Sequence, residues 1–291
     1  MANKHTQLFC DCFLSYVMKG GSFLLQSQTK KEREFIMKKN EFEYYERIKD
    51  WNFDEFEIKS EGLTNWDMFE ILKSVTDENS RILDLGTGGG EKVIKYFPKV
   101  KEILATDFSK AMIETAKRNL EKSGRSDITF RIMDNLNMDV QKDYYDVVVA
   151  RHTVTDPKQI YEALKKDGHL IVRGVDKYDC HELKRIFGRG QAFNDSVPIS
   201  IRDYEAILDA GFKDVELVPI HERDYYKDKL TFLKFLLKVP IIDDFSETDG
   251  DVKDYYAKSL EEDKLDQYIE KNSYPKGIRL VRRYYGITAR K

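Results

Sequence analysis

The sequence predicts an α/β fold: a doubly wound, mainly parallel seven-stranded sheet with helices on both faces and a helical cap inserted before the last strand. Three observations predict it. Short apolar runs alternate with segments of helical periodicity, which is the pattern of repeated β-α-β units. A glycine-rich turn follows the first of these strands, at residues 86–90. Residues 221–279 separate the last two predicted strands, and a connection of that length is rarely an unstructured loop.

The strands and helices follow one another in order along the chain. The strands are predicted at residues 81–85, 102–106, 128–133, 145–150, 169–172, 215–219 and 282–289. Before the cap, the helices are predicted at residues 68–75, 92–96, 110–123, 160–164 and 201–210. Because crossovers between parallel strands are nearly always right-handed, we expect these helices on both faces of one sheet.

The chain divides into an N-terminal extension and one domain. Residues 1–40 differ in composition from the rest of the chain, and two interpretations stay open. They are either a poorly ordered arm or a segment upstream of the true start, for which Met37 is the candidate. Residues 41–291 form the predicted domain.

The cap, residues 221–279, is predicted to contain helices at residues 230–237 and 259–272. Its aromatic side chains, Phe232 and Phe235 among them, could line a pocket for a small molecule, but we expect most of them to form the cap's own core. In both cases we expect the cap to shape the space in which a small molecule would bind.

The charge balance argues against a nucleic-acid-binding protein. Lys and Arg number 49 and Asp and Glu number 52, which gives a net charge of −3 and no overall attraction to a phosphate backbone. A basic cluster near the C-terminus, Lys276, Arg279, Arg282 and Arg283, is the local exception. It indicates either a surface for an anionic substrate or RNA, or a solvated strand face, and the overall charge favours the strand face.

Cysteine content and hydropathy indicate a cytoplasmic protein. The three cysteines, Cys10, Cys12 and Cys180, form no CxxC pair, so neither a disulfide framework nor a metal site is predicted. The apolar stretch at residues 8–18 is interrupted by Asp11 and is shorter than the roughly 20 residues that span a bilayer. We therefore expect no membrane partner, and the sequence leaves the oligomeric state open.

The turn after the first strand carries the strongest chemical signal. Gly86, Gly88 and Gly90 alternate where the strand passes into a helix, which lets the backbone approach a ligand closely. A dinucleotide-binding turn requires a small residue where this chain has Glu91, and a carboxylate there would repel a pyrophosphate. Asp84, two residues before the first glycine, suits a ligand that carries an ammonium group.

This pattern resembles the class I S-adenosylmethionine-dependent methyltransferases, in which an acidic residue precedes G-x-G-x-G. The resemblance covers residues 66–219 and the final strand. It implies a methyltransferase whose cofactor is S-adenosylmethionine. In this family the acidic residue after the second strand binds the ribose hydroxyls, and here that residue is Asp107. Phe108 follows it, and Met112 is expected against the adenine.

Two further elements extend the resemblance. Asp134 and Asn135 follow the third strand, where the family has an acidic residue that faces the adenine amino group. Residues 164–170 are similar to the family's L-K-P-G-G-x-L turn, with Lys166 and Asp167 in place of Pro and Gly. By resemblance and position, the predicted cofactor-binding residues are Asp84, Gly86, Gly88, Gly90, Asp107, Phe108, Met112, Asp134, Asn135 and Arg151.

His152 is the candidate general base. With Arg151 it follows the fourth strand, at the carboxyl edge of the sheet, where open α/β folds bind ligands. The alternative is that these two residues cap the strand or pair with Asp146 and Asp156 at the surface. The family's N-P-P-Y signature for amino groups on bases or glutamine is replaced here by R-H-T-V, which disfavours amine methylation of the adenine type.

The sequence thus predicts an enzyme that methylates a small molecule. Two alternatives stay open. One is an RNA base methyltransferase that uses the C-terminal basic cluster as its platform, and the other is a binding module that retains the cofactor pocket without turnover. The nucleophilic atom of the acceptor is left open among nitrogen, oxygen, carbon and sulfur.

Overall fold

A computed structural model describes residues 53, 56–242, 245 and 261–291. The predicted N-terminal extension, residues 1–40, lies outside these described residues, as does the start of the second predicted cap helix. The domain boundary at residue 41 therefore stays a prediction. Within the described residues, no helix combines the length and the hydropathy needed to cross a membrane.

A single mixed sheet organises the described part of the chain. Its strands are β1 (Lys59–Gly62), β2 (Arg81–Leu85), β3 (Glu102–Asp107), β4 (Ile128–Ile132), β5 (Tyr145–Arg151), β6 (Leu164–Val175), β7 (Lys213–Tyr226), β8 (Ser273–Tyr274) and β9 (Gly277–Arg290). Their order is β1-β7-β9-β6-β5-β2-β3-β4, and β8 pairs with β9. Strands β2 to β6 are mutually parallel, whereas β9 is antiparallel to both β6 and β7.

The predicted fold class is confirmed, but the predicted count of seven strands is corrected to nine within the described residues. The seven predicted strands correspond to β2 to β7 and β9. The two additional strands, β1 and β8, contain four and two residues and carry no apolar alternation. Their main-chain pairing with β7 and β9 defines them, so a hydrophobic pattern could not indicate them.

Eight helices pack around the described sheet. They are α1 (Met68–Ser74), α2 (Glu91–Tyr96), α3 (Lys110–Glu121), α4 (Pro157–Ala163), α5 (His181–Phe187), α6 (Ile199–Asp209), α7 (Lys229–Lys238) and α8 (Glu262–Asn272). Side chains on a strand alternate between the two faces, so Ile82 packs with α1, α2 and α3 while Leu83 packs with α4 and α6. Helices therefore cover both faces of the sheet, as predicted.

A third core joins α5, α7 and α8 to the far ends of β7 and β9. We call these three helices the cap layer. The predicted cap comprised residues 221–279. Strand β7 continues to Tyr226 and β9 begins at Gly277, so the first and last residues of the predicted cap belong to these two strands. Phe232 and Phe235 are buried in this core, which agrees with the expectation that the cap's aromatic residues pack mainly with one another.

Candidate functional site

The glycine turn joins β2 to α2 at the carboxyl edge of the parallel strands. Gly86 and Gly90 both have positive φ angles, of 75° and 77°, which L-residues rarely adopt. A methyl group at Gly86 would lie 2.7 Å from Cβ of Thr153, and one at Gly90 would lie 2.7 Å from Cζ of Phe130. Packing within the protein therefore requires glycine at both positions, apart from any requirement that a ligand adds.

Asp107 holds this turn against the end of β3. Its Oδ2 accepts a hydrogen bond from the main-chain N–H of Gly88 at 2.9 Å, and its Oδ1 accepts one from the N–H of Ser109 at 3.0 Å. Burial raises the pKa of the Asp107 carboxyl in spite of these bonds. Carboxylate oxygens have further lone pairs, so Asp107 can still accept hydrogen bonds from hydroxyl groups.

Asp84 and Arg151 place opposite charges beside the turn. Asp84 is 2% exposed, and burial raises its pKa to about 6, against the opposing effect of Arg151. Burial likewise lowers the pKa of Arg151, which Asp84 partly offsets. The two side chains thus influence each other electrostatically, although no ion pair within 4.0 Å joins them among the described residues.

This arrangement fits the amino-acid portion of S-adenosylmethionine. An ammonium group is complementary to Asp84, and a carboxylate is complementary to Arg151. A bound cation would also relieve the burial penalty on the Asp84 carboxylate. The residues present therefore fit the cofactor that the sequence predicted.

Asn135, rather than Asp134, points into the fold near the turn. Its Nδ2 donates to the hydroxyl of Thr153 at 2.9 Å, while its buried Oδ1 has no hydrogen-bond partner among the described residues. Asp134 is exposed, and its carboxylate accepts bonds from the N–H of Leu136 at 2.9 Å and from Nδ2 of Asn137 at 2.7 Å. The oxygen available to an adenine amino group at this position is thus the amide oxygen of Asn135.

Phe108 and Met112, predicted near the adenine, differ in accessibility. The Phe108 side chain is 36% exposed next to Asp107, so its ring is accessible to a ligand. Met112 is fully buried, and its N–H donates to the capping hydroxyl of Ser109 at 3.2 Å. Its side chain supports the first turn of α3 and is not exposed at the edge of the sheet.

His152 lies directly after β5 with a positive φ of 53°. Its main-chain N–H donates to the carbonyl of Arg173 at 2.8 Å, which fixes the residue against the end of β6. The residue is exposed, and its imidazole lies 5.5 Å, between ring centres, from Tyr284. Surrounding protein atoms and the guanidiniums of Arg173, Arg151 and Arg282 hold its pKa well below the ordinary value.

Two of these guanidiniums contact the ring of Tyr284. The guanidinium carbon of Arg173 lies 4.6 Å from the centre of the Tyr284 ring, and that of Arg282 lies 4.9 Å from it. We call His152, Arg173, Tyr284 and Arg282 the strand-edge cluster. It adjoins the glycine turn, because Thr153 contacts Gly86.

Two sequence-based interpretations are wrong at this edge. Arg151 and His152 do not pair with Asp146 and Asp156, since Asp146 binds Lys165 at 2.6 Å and Asp156 caps α4. The C-terminal basic cluster is also not uniformly a solvated strand face, because Arg282 is buried. Its Nε and Nη2 donate to the two carboxylate oxygens of Asp179 at 3.0 and 3.1 Å.

Sequence reasoning missed Thr153, Arg173 and Tyr284. The register could have indicated one of them: Arg151 and Arg173 are partners across β5 and β6, so they end neighbouring strands at one edge. Tyr284 is opposite Val175 in an antiparallel pairing that no local pattern specifies. Among the described residues, no group of three His, Cys, Asp or Glu side chains is placed to hold a metal ion.

The fold and this turn define the class I S-adenosylmethionine-dependent methyltransferases. Residues 76–210 match the family model described as a methyltransferase domain, and this segment is a domain of that class. The prediction of the class is thereby confirmed.

The relatives are similar over part of their length only. Ribosomal protein L11 methyltransferase of Bacillus pumilus is 34% identical over 113 residues, which are 36% of this chain and 35% of that protein. The uncharacterized methyltransferase YcgJ of Bacillus subtilis is 27% identical over 105 residues, 34% of this chain and 41% of that protein. The chain thus spans well under half the length of these relatives.

A solved structure shares the fold. It comes from Bacillus halodurans C-125 and is described as a candidate methyltransferase. It superimposes with a TM-score of 0.52 at 16% identity, over 77% of this chain and 98% of that one. At this identity, the similarity concerns the fold alone.

Proposed function

We propose that the protein transfers a methyl group from S-adenosylmethionine to a small-molecule acceptor. One observation carries this proposal: Asp84, two residues before the glycine turn, and Arg151 at the end of β5 carry opposite charges that influence each other, and the exposed His152 follows Arg151 directly. The charge pair suits the amino-acid portion of the cofactor, and we assign the neighbouring imidazole to the acceptor side of the site.

Four further residues support binding of the adenosine portion. Asp107 offers its remaining carboxylate lone pairs to the ribose hydroxyls, and the unpartnered Oδ1 of Asn135 offers an acceptor to the adenine amino group. The exposed ring of Phe108 offers a face for stacking. Gly88 contributes backbone held in place by Asp107, without a side chain that would fill the turn.

His152 is the proposed proton acceptor. Bound S-adenosylmethionine supplies an electrophilic methyl group on sulfur. Because its pKa is depressed, the imidazole of His152 is neutral at pH 7 and can take a proton from an acceptor group that must lose one. The protein's further contribution is to align the acceptor with the methyl group and to exclude water.

A small molecule is favoured over RNA. A phosphate-binding platform needs side chains that are available to the backbone of the nucleic acid. In the C-terminal basic cluster, Arg282 is buried against Asp179 and Asp224, and Lys276 pairs with Glu61.

The predicted cytoplasmic location stays a prediction, and so does a role as a binding module without turnover.

The test combines binding with transfer. The full chain is incubated with methyl-labelled S-adenosylmethionine and either a metabolite extract or total RNA, and label is sought in each fraction. We expect label in compounds of low mass and only weak binding of RNA; RNA binding that is tight at low salt and weakens steeply as salt is added would indicate phosphate contacts and favour the RNA alternative. Label in RNA would favour the RNA alternative, and tight cofactor binding without any transfer would favour the binding module.

Calorimetry with S-adenosylhomocysteine tests the binding site itself. We expect Asp107→Ala to weaken binding by about 1–3 kcal/mol through the loss of charged hydrogen bonds. Asp143→Ala is the control, because Asp143 is 73% exposed and pairs with Lys291. Equal affinities of a folded Asp107→Ala variant and the control would contradict the assignment.

A further inference from the structure

We propose that the acceptor is a hydroxyl compound, methylated on oxygen, whose reacting oxygen lies between the His152 imidazole and the Arg173 guanidinium. This inference rests on the proposed methyltransferase function. It adds the chemical class of the acceptor and assigns Arg173 to the recognition of its oxygen.

The geometry first limits which side chains an acceptor can touch. Tyr284 is 8% exposed and Arg282 is 7% exposed, so these two form the interior of the strand-edge cluster. The accessible members are His152, which is exposed, and Arg173, whose side chain is 22% exposed. An acceptor next to the glycine turn would therefore meet one imidazole and one guanidinium.

The position of Arg173 is held from two sides. Its Nη2 donates to Oε1 of Glu222 on β7 at 2.7 Å, and its guanidinium stacks on the ring of Tyr284. Its carbonyl also accepts the N–H of His152. Glu222 and Tyr284 thus position the guanidinium before any ligand binds, and a main-chain hydrogen bond joins Arg173 to His152.

Three strands place a guanidinium near His152. Arg151 on β5, Arg173 on β6 and Arg282 on β9 all depress the pKa of the imidazole. Carboxylates partner these arginines: Glu222 contacts Arg173, Asp179 and Asp224 contact Arg282, and Asp84 faces Arg151. None of them is among the groups that dominate the pKa of His152.

Such a field discriminates between acceptor atoms. It favours an oxygen that carries negative charge as it loses its proton, because opposite charges attract across a protein interior more strongly than in water. It disfavours an amine, which is protonated at neutral pH and which would become an ammonium again on methylation, in the presence of three guanidiniums. Oxygen is therefore the acceptor atom that this edge of the sheet suits.

The reaction balances without any further reactant. The acceptor O–H bond breaks, and its proton moves to the neutral imidazole of His152. A lone pair of the oxygen forms the bond to the methyl carbon while the carbon–sulfur bond breaks, and both electrons of that bond stay on sulfur. The products are a methyl ether, S-adenosylhomocysteine and one proton, which His152 releases to water.

The first arm of the test identifies the bond that holds the transferred methyl group. The full chain is incubated with carbon-14 methyl-labelled S-adenosylmethionine and a metabolite extract, and the labelled product is heated with hydriodic acid. We expect the label to leave as methyl iodide, as a methyl ether requires, and to resist mild alkali. Label retained after hydriodic acid, or released as methanol by mild alkali, would overturn the proposal and leave the methyltransferase function standing.

Absence of any labelled product would instead overturn the proposed function, and this inference with it. S-adenosylhomocysteine binding, measured by calorimetry on the same preparation, shows that the protein used is folded. Failure of the acceptor class and failure of the methyltransferase function therefore give different results.

The second arm tests Arg173 against a matched arginine. Arg173→Gln is compared with Arg189→Gln, because Arg189 in the cap region also donates Nη2 to a glutamate, Glu261, at 2.7 Å. We expect Arg173→Gln to lower kcat/KM for the isolated acceptor by about tenfold or more while the affinity for S-adenosylhomocysteine stays within about twofold. We expect Arg189→Gln to leave both values within about twofold of the unmodified protein.

A pH profile separates this electrostatic role from a purely structural one. Removing the Arg173 charge should raise the pKa of His152, so the acidic limb of the rate profile should move to higher pH by about half a unit or more. Arg173→Lys, which retains a positive charge, should move the limb back toward its original position. An unmoved limb in a folded, active Arg173→Gln variant would overturn the assignment of Arg173.

Discussion

Asp84 is the residue at which ligand binding and proton binding are coupled. Burial raises the pKa of its carboxyl to about 6 in the unliganded protein, so a large fraction is protonated at mildly acidic pH. A ligand ammonium group favours the ionised carboxylate and must displace that proton. Binding of S-adenosylmethionine should therefore release a proton from Asp84 below about pH 6.

We predict that the affinity for S-adenosylhomocysteine is constant above about pH 7 and falls below about pH 6, toward a tenfold loss for each further pH unit. Calorimetry from pH 5 to pH 8 measures the slope. Asp84→Asn should bind more weakly at pH 8 and show a flatter pH dependence. A wild-type affinity as flat as that of the variant would show that Asp84 does not face the ammonium group.

Among the secondary-structure elements, the β2–turn–α2 unit is packed around its glycines. A methyl group at Gly90 would lie 2.7 Å from Cζ of Phe130 and 3.0 Å from Cβ of Ala116, in addition to the strain of a positive φ. Gly124 has a similar positive φ of 69°, yet a methyl group there meets no atom within 4 Å. A substitution at Gly124 therefore introduces backbone strain alone, whereas a substitution at Gly90 introduces both backbone strain and overpacking.

We predict that Gly124→Ala costs about 1 kcal/mol of unfolding free energy and that Gly90→Ala costs about 1–3 kcal/mol more. Phe130→Leu removes the ring atom that the new methyl group would meet. The double variant Gly90→Ala, Phe130→Leu should therefore lose less stability than the two single variants combined, as measured by urea denaturation. Strict additivity would mean that the turn moves away from Phe130 instead.

The same unit shows which parts of the site a sequence can indicate. Asp84, Gly86, Gly88 and Gly90 lie within seven residues, so their spacing is visible in one window. Phe130 and Thr153 contact the turn from elements far along the chain, and no local pattern encodes that contact. The parallel strands were predictable because each is a buried apolar run, whereas β1 and β8 depend on partners.

The buried Arg282 is a second case in which contacts between residues far apart in the sequence could not be predicted. Arg282 stands among other basic residues in the sequence, which suggests solvent. Its partners Asp179 and Asp224 are 103 and 58 positions away; Asp224 reaches it when β7 pairs with β9, and Asp179 lies between β6 and α5. The ion pairs that neutralise Arg282 can therefore be recognised in the folded structure but not in the sequence.

At the scale of the whole molecule, buried carboxyl groups with raised pKa values shape the stability. Asp203 on α6 has its pKa raised by burial to about 6, although the hydroxyl of Tyr285 on β9 donates to it. In the unfolded chain this carboxyl has its ordinary value of 3.8. Between these two pH values the folded protein binds a proton that the unfolded chain has lost, so stability falls as the pH rises toward 6.

We predict that Asp203→Asn reduces this loss. Asparagine can still accept a hydrogen bond from the Tyr285 hydroxyl, but it has no proton to lose. Between pH 5 and pH 8, the wild-type protein without cofactor should lose about 1 kcal/mol more unfolding free energy than the variant. Asp84 has a similarly raised pKa, but it is present in both proteins, so its effect cancels in the comparison. Urea denaturation at pH 5 and pH 8 measures the change in unfolding free energy of each protein. An identical change in the wild type and the variant would mean that Asp203 is already ionised in the folded protein at pH 5.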